Sequence, residues 1–358
     1  PIVEQIHGVT YEGTGNTYPY HGYWAKDWTS LDPNFGTKAD LKEMVETAHE
    51  YGIRVLLDAV VNHTGPVTEK DKVWPEEWVR TSPTCTYQNF ETTVTCTLVD
   101  NLPDVKTESN QNVELPPYLV EKWKEEGRYQ EEMASLNAFF EETGYPKAPR
   151  FYIMKWLADY ITEFGIDGYR VDTVKHTEPY VWQEFNKICS RAFTQWKSEN
   201  PNQVLDDQDF YLLGEVYNYA ISHKKAFDFG DKKVNYFDDA FNSLINFELK
   251  WNALQQDYET HFAKYSSILY NELNSYGITN YMTSHDDGKP FDPKREKNKE
   301  AANRLLLSPG TAQIYYGDET ARPLEIEGTV GDATLRSFMN WDELDSLAEK
   351  QEILAYWQ

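Results

Sequence analysis

The sequence has few cysteines and no long apolar run. Three cysteines in 358 residues exclude a disulfide-dense scaffold. There is no CxxC pair, so a structural zinc site has no support. No window approaches 18 uninterrupted apolar residues, so we expect no membrane-spanning helix. The motifs GxGxxG and GxxxxGK(S/T) are also missing, which leaves nucleotide binding with little support.

Basic residues are scarce relative to acidic ones. Lys and Arg number 34 against 59 Asp and Glu, which gives a formal net charge of −25. Such a surface repels phosphate backbones, so we expect no nucleic-acid partner and a neutral or cationic substrate. Aromatic residues make up 15% of the chain. They can form a large core or platforms for a ligand with apolar faces such as a sugar, and composition alone favours the core.

Short apolar runs alternate with stretches of helical periodicity along most of the chain. This alternation predicts parallel strands in an α/β fold, either a barrel or a large doubly wound sheet. The segment 65–150 interrupts the rhythm and is interpreted as an inserted lobe. The predicted strands span residues 53–61, 166–172, 210–216, 244–247, 278–284 and 312–316.

Polar side chains follow the apolar strands at the same end each time. One such residue is usually a helix cap, but four successive strands with this pattern favour an active site at the mouth of a barrel. The residues at these ends are Asp58, Asn62, His63, Arg170, Asp172, Lys175, His176, Glu215, His285, Asp286 and Asp287.

Three of these strand ends carry carboxylates that suit glycosidic bond cleavage, which needs one ionised and one protonated carboxyl group. Arg170 and Asp172 share a face of their strand, so the guanidinium can keep Asp172 ionised. A structural ion pair is the alternative for these two residues taken alone. Glu215 has apolar neighbours that would raise its pKa, as a general acid requires.

Several segments resemble the ordered signature motifs of the α-amylase family, glycoside hydrolase family 13. Segments near both ends look most like bacterial periplasmic-type α-amylases. The matching segments are YHGYW (20–24), DAVVNH (58–63), LPDVKTES (102–109), GYRVDTVKH (168–176), GEVYN (214–218) and SHDD (284–287).

The resemblance implies a (β/α)₈ TIM barrel with a lobe inserted after strand three. It divides the chain into a first barrel segment (1–64), an inserted lobe (65–150) and a second barrel segment (151–358). Strand one and most of strand two are not recognisable, and we expect a piece of a longer protein. The implied activity is retaining hydrolysis of internal α-1,4-glucosidic bonds in starch, glycogen or maltodextrins.

By motif position, the resemblance also implies roles for individual residues. Asp172 would be the nucleophile, Glu215 the general acid/base and Asp286 the third carboxylate. The Lys-His pair favours α-1,4-glucan enzymes over α-1,6-glucosidases. The implied substrate-binding residues are Tyr23, His63, Arg170, Lys175, His176 and His285.

A calcium ion is implied between barrel and lobe. Its ligands would be Asn62, Asp104 and the backbone carbonyl of His176, all oxygen donors that suit a hard cation. For Asn62 alone, a turn residue is the alternative. Ser284 stands where many family members have Asn, which argues against chloride activation.

Cys85 and Cys96 flank a stretch that could form a hairpin with the cysteines opposed. Because the family resemblance suggests a secreted or periplasmic enzyme, we expect a disulfide between them. Two reduced cysteines in a cytosolic protein are the alternative. Cys189 follows Ile188, which lies on the apolar face of a predicted helix, and Cys189 is predicted to be a buried free thiol.

Three other functions are compatible with the same fold. They are a cyclodextrin-acting or transglycosylating enzyme, a non-catalytic glucan-binding or transport-associated protein, and an inactive calcium-binding protein. Non-catalytic members typically lose carboxylates, whereas Asp172, Glu215 and Asp286 are all present. The expected partner is an α-glucan or maltooligosaccharide bound by a monomer.

Overall fold

The structure is a computed structural model that describes residues 1–12, 15–329 and 331–358. The chain forms two compact units. The first comprises Pro1–Glu215 and Asp228–Phe241, and the second comprises Val216–Phe227 and Asn242–Gln358. No helix among the described residues is long and apolar enough to cross a membrane.

The amino-terminal half of the chain alternates strands and helices. Its elements are β1 (Val3–Gln5), β2 (Thr10–Glu12), β3 (Gly15–Thr17), β4 (Ala25–Leu31), α1 (Lys38–Glu50), β5 (Leu56–Ala59), β6 (Val79–Arg80), α2 (Glu91–Val94), β7 (Asp104–Val105), α3 (Pro117–Glu125), α4 (Tyr129–Thr143), α5 (Pro149–Phe164), β8 (Gly168–Val171), a 3₁₀ helix (Val174–His176), α6 (Pro179–Glu199) and β9 (Tyr211–Gly214).

The remainder continues the same alternation. Its elements are a 3₁₀ helix (Ile221–His223), β10 (Phe227–Asp228), β11 (Lys233–Val234), α7 (Tyr236–Asp239), β12 (Ser243–Asn246), α8 (Leu249–Gln255), α9 (Tyr258–Asn271), β13 (Gly277–Tyr281), α10 (Asn298–Leu306), β14 (Thr311–Gln313), a 3₁₀ helix (Gly331–Arg336), α11 (Trp341–Ser346) and α12 (Ala348–Trp357).

Each unit contains a parallel ladder of three strands. In the first unit, β8 pairs with β5 on one side and with β9 on the other. In the second unit, β13 pairs in the same way with β12 and β14. These six strands overlap the six predicted apolar runs, and all of them except β12 are shorter than their runs. Ile53, for example, precedes β5 and is exposed rather than part of a buried strand.

Helices α5 and α6 build much of the core of the first unit. Each begins at a proline, where the missing N–H costs nothing. Helix α5 ends at Gly165, whose φ of 71° is left-handed. A Cβ atom at Gly165 would come within 2.1 Å of the Trp196 ring on α6. A glycine is therefore needed there both for the turn and for the close packing of the two helices.

The segment 65–150 carries no strand of the parallel ladder. It contains the antiparallel pair β6–β7 and the helices α2, α3 and α4. A disulfide joins Cys85 and Cys96, as predicted, and Cys189 is a buried free thiol, also as predicted. The division of the chain at residues 64 and 150 stays a prediction.

Candidate active site

The candidate site in the first unit is centred on Arg170 of β8. Its Nη1 atom donates to Asp172 Oδ1 at 2.7 Å and to Asp58 Oδ1 at 2.9 Å. Its Nη2 atom lies 3.4 Å from Glu215 Oε2. A single guanidinium therefore holds together three carboxylates that are far apart in the chain.

The register of the parallel ladder explains why these side chains meet. Asp58 on β5 is paired with Arg170 on β8, and Arg170 is paired with Leu213 on β9. Asp172 and Glu215 each lie two residues beyond these ladder positions. Since side chains two apart on a strand point to the same face, all four polar groups lie on one side at the carboxyl end of the ladder.

The Glu215 side chain is held by backbone as well as by Arg170. The N–H of Thr173 donates to Glu215 Oε2 at 2.9 Å, and the N–H of Val174 donates to the Glu215 carbonyl at 3.0 Å. Thr173 has a φ of 50°, a left-handed conformation that is unfavourable for a β-branched residue. The chain thus accepts local strain at the position that directs an N–H toward Glu215.

Burial and the neighbouring charges together determine the pKa of Arg170. Asp172 and Glu215 are only 7% and 5% exposed. Burial by itself would lower the pKa of Arg170, but Asp58, Glu215 and Asp172 outweigh it and hold that pKa well above its ordinary value. Arg170 therefore stays charged beside the three carboxyl groups.

Tyr23 and His63 complete one wall of the cluster. The Tyr23 hydroxyl donates to Asp58 Oδ2 at 3.0 Å, and the Arg170 guanidinium lies 5.6 Å from the ring centroid. The His63 ring, through Nε2, lies 3.1 Å from the Tyr23 carbonyl. Burial lowers the pKa of His63, although Asp172 opposes the shift. Because the Tyr23 carbonyl can only accept, Nε2 carries the proton of the neutral imidazole, and Nδ1 can act only as an acceptor.

Lys175 and His176 lie on the 3₁₀ helix after β8 and contact the disulfide-closed loop. His176 Nδ1 lies 3.1 Å from the Thr93 carbonyl, and the Lys175 ammonium lies 5.9 Å from the centroid of the Tyr87 ring. Burial and the neighbouring Lys175 lower the pKa of His176 to about 3. Burial also lowers the pKa of Lys175, with Glu215 opposing the shift.

Asp286 and His285 belong to the second unit. Asp286 is exposed, and its Oδ1 accepts a hydrogen bond from the Ser284 hydroxyl at 3.0 Å. The His285 carbonyl accepts a hydrogen bond from Arg336 Nε at 3.0 Å. Asp286 also lines a cavity of about 610 Å³ within this unit. The structure thus gathers Asp172, Glu215 and their neighbours in one unit and places Asp286 in the other.

The predicted calcium ligands lie close together in the first unit. The Asn62 carbonyl accepts a hydrogen bond from the Val105 N–H at 2.8 Å, beside Asp104. The hydroxyl of Thr177, the residue after His176, donates to Asn62 Oδ1 at 3.1 Å. The strand ends and the inserted segment therefore meet where the prediction places the ion.

The chemistry of these donors fits a hard cation. Asp104 is 2% exposed, and its Oδ1 accepts no hydrogen bond from any residue that the structure describes. An unpartnered buried carboxylate oxygen is costly, and a cation would remove that cost. No group of three or more His, Cys, Asp or Glu side chains suited to a metal is found among the described residues. An ion here would therefore need amide and carbonyl oxygens as well.

Two residues of this region had no role in the sequence interpretation. Asp58 was recognised at a strand end but not as a partner of Arg170 and Tyr23, which only the register reveals. Arg80 had no predicted role at all, yet its Nε lies 3.3 Å from Asp104 Oδ2 and its Nη2 lies 2.5 Å from Glu108 Oε1. No sequence signal links Arg80 to Asp104, because the two lie on opposite strands of a pair only two residues long.

Comparisons with known proteins agree with the sequence interpretation. The family model for the α-amylase catalytic domain matches residues 10–346. The chain is 30% identical to the periplasmic α-amylase of Escherichia coli K12 over 99% of its own length and 56% of that protein. It is 27% identical to a Bacillus cyclomaltodextrinase over 94% of its length and 52% of the relative. The chain thus spans little more than half of these relatives.

A solved structure extends the comparison to three dimensions. The crystal structure of α-amylase from Geobacillus thermoleovorans, complexed with acarbose, matches with a TM-score of 0.63 at 23% sequence identity. The match covers 100% of this chain and 67% of that one. At this level of identity the likeness establishes the fold, and it confirms the predicted barrel architecture.

Proposed function

Because the chain belongs to the α-amylase family of glycoside hydrolases, we propose that it cleaves internal α-1,4-glucosidic bonds of starch, glycogen or maltodextrins with retention of configuration. The observation that carries this proposal is the cluster in which Arg170 contacts both Asp172 and Glu215. Two buried carboxylates beside one guanidinium supply both the nucleophile and the acid that glycoside cleavage needs.

In the first half of the reaction, a carboxylate oxygen of Asp172 attacks the anomeric carbon while Glu215 gives its proton to the departing glycosidic oxygen. The C–O bond to the leaving sugar breaks, and a glycosyl ester forms on Asp172. In the second half, Glu215 takes a proton from water as that water attacks the same carbon and releases Asp172. Two inversions at one carbon leave the product in the α configuration.

The surrounding residues have assignments that follow this chemistry. Arg170 donates to Asp172 and holds its carboxyl group in place, and the N–H of Thr173 orients Glu215. His63 and Tyr23 would line the subsite of the cleaved sugar, with the ring of Tyr23 stacking on it. Asp286 and His285 would bind hydroxyls of the same sugar. On the leaving-group side, Lys175 and His176 would contact the next glucose.

We also propose a calcium ion held by Asn62, Asp104 and the His176 carbonyl. The ion would neutralise the buried Asp104 carboxylate and fix the segment after β8, which includes Lys175 and His176. It takes no part in the bond-breaking steps. The unpartnered Asp104 Oδ1 supports this proposal.

We also propose that the protein is located outside the cytoplasm. The Escherichia coli relative is a periplasmic enzyme by name. The Cys85–Cys96 disulfide is of a kind that persists in oxidising compartments. Both observations favour a periplasmic or secreted protein over a cytosolic one.

The test of the activity is hydrolysis of soluble starch followed by proton NMR at early times. We expect α-anomeric products and release of internal fragments. Glu215→Gln should lower the rate by at least about 10²-fold, the range for loss of a general acid. β-Anomeric products would contradict the retaining mechanism, and wild-type rates in the variant would contradict the role of Glu215.

Action on cyclodextrins is the second candidate, favoured by the similarity to a cyclomaltodextrinase. Parallel assays on starch and on cyclodextrins of six to eight glucose units would separate the two. A higher kcat/KM on cyclodextrins, or transfer products in place of hydrolysis products, would favour the second candidate.

A further inference from the structure

A short loop of the inserted segment, residues 85–96, lies against the ring of His176 and is closed by the Cys85–Cys96 disulfide. The Thr93 carbonyl lies 3.1 Å from His176 Nδ1, and the Tyr87 ring meets the imidazole edge-on with centroids 5.7 Å apart. Neither Thr93 nor Tyr87 lies in the motifs that predicted the substrate residues. This disulfide loop therefore contacts a predicted substrate residue without being predicted to bind substrate itself.

The contact with Thr93 determines which ring nitrogen of His176 carries a proton. A carbonyl oxygen can only accept a hydrogen bond, so Nδ1 must be the donor and must carry the hydrogen. In a neutral imidazole the other nitrogen, Nε2, is then an acceptor. A glucose hydroxyl that meets Nε2 must therefore donate its own hydrogen to be bound.

Backbone hydrogen bonds fix the position of the Thr93 carbonyl. Thr93 lies in the single turn α2, where its N–H donates to the Phe90 carbonyl at 3.0 Å and its hydroxyl donates to the Asn89 carbonyl at 2.8 Å. At the base of the loop, the N–H of Cys85 donates to the Thr97 carbonyl at 2.8 Å. The disulfide and these hydrogen bonds together hold the two sides of the loop to each other.

The disulfide loop is also anchored at its tip. The Phe90 N–H donates to Asp231 Oδ1 at 2.9 Å, and the Phe90 ring packs edge-on against Phe229 with centroids 5.1 Å apart. The Lys232 ammonium lies 3.7 Å from the centroid of the Phe90 ring. These partners belong to the segment Asp228–Phe241 of the same unit. Because the loop is held at its base and at its tip, the Thr93 carbonyl keeps a defined position.

Tyr87 is held in an unfavourable backbone conformation. Its φ of 56° lies in the left-handed region, which a residue with a bulky side chain rarely adopts. Its N–H donates to the Thr92 carbonyl at 3.3 Å, and its hydroxyl donates to the Leu98 carbonyl at 3.0 Å. Such a conformation persists only where the surrounding contacts over-determine it. The closed loop supplies those contacts, and the result is a ring set edge-on to His176.

We propose that the disulfide loop is a positioning element for His176. Thr93 and Tyr87 hold the imidazole with Nδ1 protonated, so that Nε2 accepts a hydrogen bond from the glucose on the leaving-group side. The inference rests on the proposed glucan hydrolysis. Thr93 and Tyr87 are positioning residues here, because they act on the substrate through His176.

The position of the proton can be measured by NMR on a chain with ¹⁵N-labelled histidine. In long-range ¹H–¹⁵N spectra of the wild type near neutral pH, we expect a protonated Nδ1 and an unprotonated Nε2 for His176, with His176→Asn identifying the signals. Cys85→Ala/Cys96→Ala should move both ¹⁵N shifts toward the averaged values of an imidazole that exchanges between tautomers. A protonated Nε2 in the wild type, or unchanged signals in the double variant, would overturn the proposal.

Kinetics on two substrates measure the effect on the leaving-group side. Maltoheptaose can fill that side, whereas maltotriosyl fluoride places only fluoride there. For Cys85→Ala/Cys96→Ala we expect the ratio of kcat/KM on maltoheptaose to kcat/KM on the fluoride to fall about 3- to 10-fold, the size of one hydrogen bond. The matched control is Cys189→Ala, which removes a buried free thiol and should keep the wild-type ratio.

Because the loop acts through His176, its effect on this ratio should vanish in a His176→Asn background. A further fall of the same size in that background would contradict the proposal, as would an equal loss on both substrates in the double cysteine variant. The wild-type spectrum decides the proton position even if the double variant does not fold. If the wild-type chain cleaves neither substrate, the proposed hydrolysis fails, while the spectra still decide whether the loop fixes the His176 proton.

Discussion

The first unit contains two clusters of carboxyl groups, each beside one arginine, and their oxygens are hydrogen-bonded to different extents. Arg170 pairs with Asp58, Asp172 and Glu215. Arg80 pairs with Asp104 and Glu108, and Glu178 acts electrostatically on Asp104. In the Arg170 cluster, both Asp58 oxygens accept hydrogen bonds, and Glu215 accepts one from the Thr173 N–H. In the Arg80 cluster, Asp104 Oδ1 and Glu108 Oε2 are buried and accept none from any described residue.

This difference in hydrogen bonding suits the Arg170 cluster to the proposed catalysis and the Arg80 cluster to the proposed cation. Around Arg170, donors are already in place, so the carboxyl groups are oriented without a further ligand. Around Arg80, burial raises the pKa of Asp104 well above its ordinary value, and Glu108 and Glu178 add to the shift against Arg80. A cation bound there would reverse that penalty, whereas one at Arg170 would compete with the substrate.

Replacing each arginine in turn should reveal the largest difference between the two clusters, in kcat for Arg170 and in stability for Arg80. Arg170→Met takes away the guanidinium that contacts Asp172 and Glu215, and we expect kcat to fall by about 10²–10³-fold. Arg80→Met should change kcat far less and act mainly on stability, since it leaves buried carboxylates without their cation. Steady-state kinetics on maltoheptaose and thermal melts of both variants provide the measurements.

If Arg170→Met and Arg80→Met had the same effects on kcat and on stability, the proposed difference between the two clusters would be wrong. Circular dichroism serves as the folding control, because a loss of kcat counts only in a folded protein. A folded Arg170→Met variant with wild-type kcat would remove Arg170 from the catalytic account.

Calcium should act on one cluster alone. Because calcium binds only the folded state, it should raise the melting temperature of the wild-type chain in a concentration-dependent way. Asp104→Asn should abolish most of that rise, because it removes the anionic ligand. Arg80→Met should enlarge the rise, because it removes a competing positive charge. Melts in chelator and then in calcium or magnesium measure both effects.

If calcium still raised the melting temperature of the Asp104→Asn variant as much as that of the wild type, the ion would bind elsewhere. The matched control is Asp58→Asn, which changes a carboxylate of the Arg170 cluster and should leave the calcium-dependent rise unchanged. Identical melts of the wild-type chain with and without calcium would count against any site.

A smaller effect concerns the pH dependence of stability. Burial and Lys175 lower the pKa of His176 from 6.5 to about 3 in the folded chain. In the unfolded chain His176 takes up a proton near pH 6.5, so folding becomes less favourable as the pH falls from 6.5 toward 3. The slope from this residue is at most about 1.4 kcal/mol per pH unit. His176→Asn should flatten the acid side of a melting-temperature profile between those values.

Other groups also titrate in that range, so His223→Asn serves as the reference. His223 lies on an exposed part of the second unit, and its replacement should leave the profile near that of the wild type. Parallel profiles for His176→Asn and the wild type would contradict the assignment of the acid loss to His176.

The features that the sequence predicted correctly depend on local sequence patterns. The spacing of Arg170 and Asp172 predicted their contact, because side chains two apart on a strand share a face. The apolar runs predicted the parallel strands. The short stretch between Cys85 and Cys96, together with the export that the family resemblance suggests, predicted their disulfide. In each case the deciding interaction lies within one element or one short loop.

Interactions that depend on strand register or on tertiary packing could not be predicted from local sequence patterns. Asp58 meets Arg170 only because β5 and β8 pair at those positions, and the sequence does not encode that register locally. Strand β5 is shorter than its apolar run: Val60 and Val61 are buried beyond the end of β5 without belonging to the ladder. Burial and strand pairing are separate requirements, and apolar character reports only the first.

The most direct test of the central claim, that Asp172 is the nucleophile and Glu215 its acid/base, uses maltotriosyl fluoride with Glu215→Gln. Fluoride departs without a proton from Glu215, so Asp172 can still form the glycosyl ester. Release of that ester needs a base to accept a proton from water, which the variant lacks. Mass spectrometry of the intact chain and of its peptides should therefore show a maltotriosyl adduct on Asp172. An adduct on another residue, or rapid hydrolysis of the fluoride with Asp172 unmodified, would contradict the account.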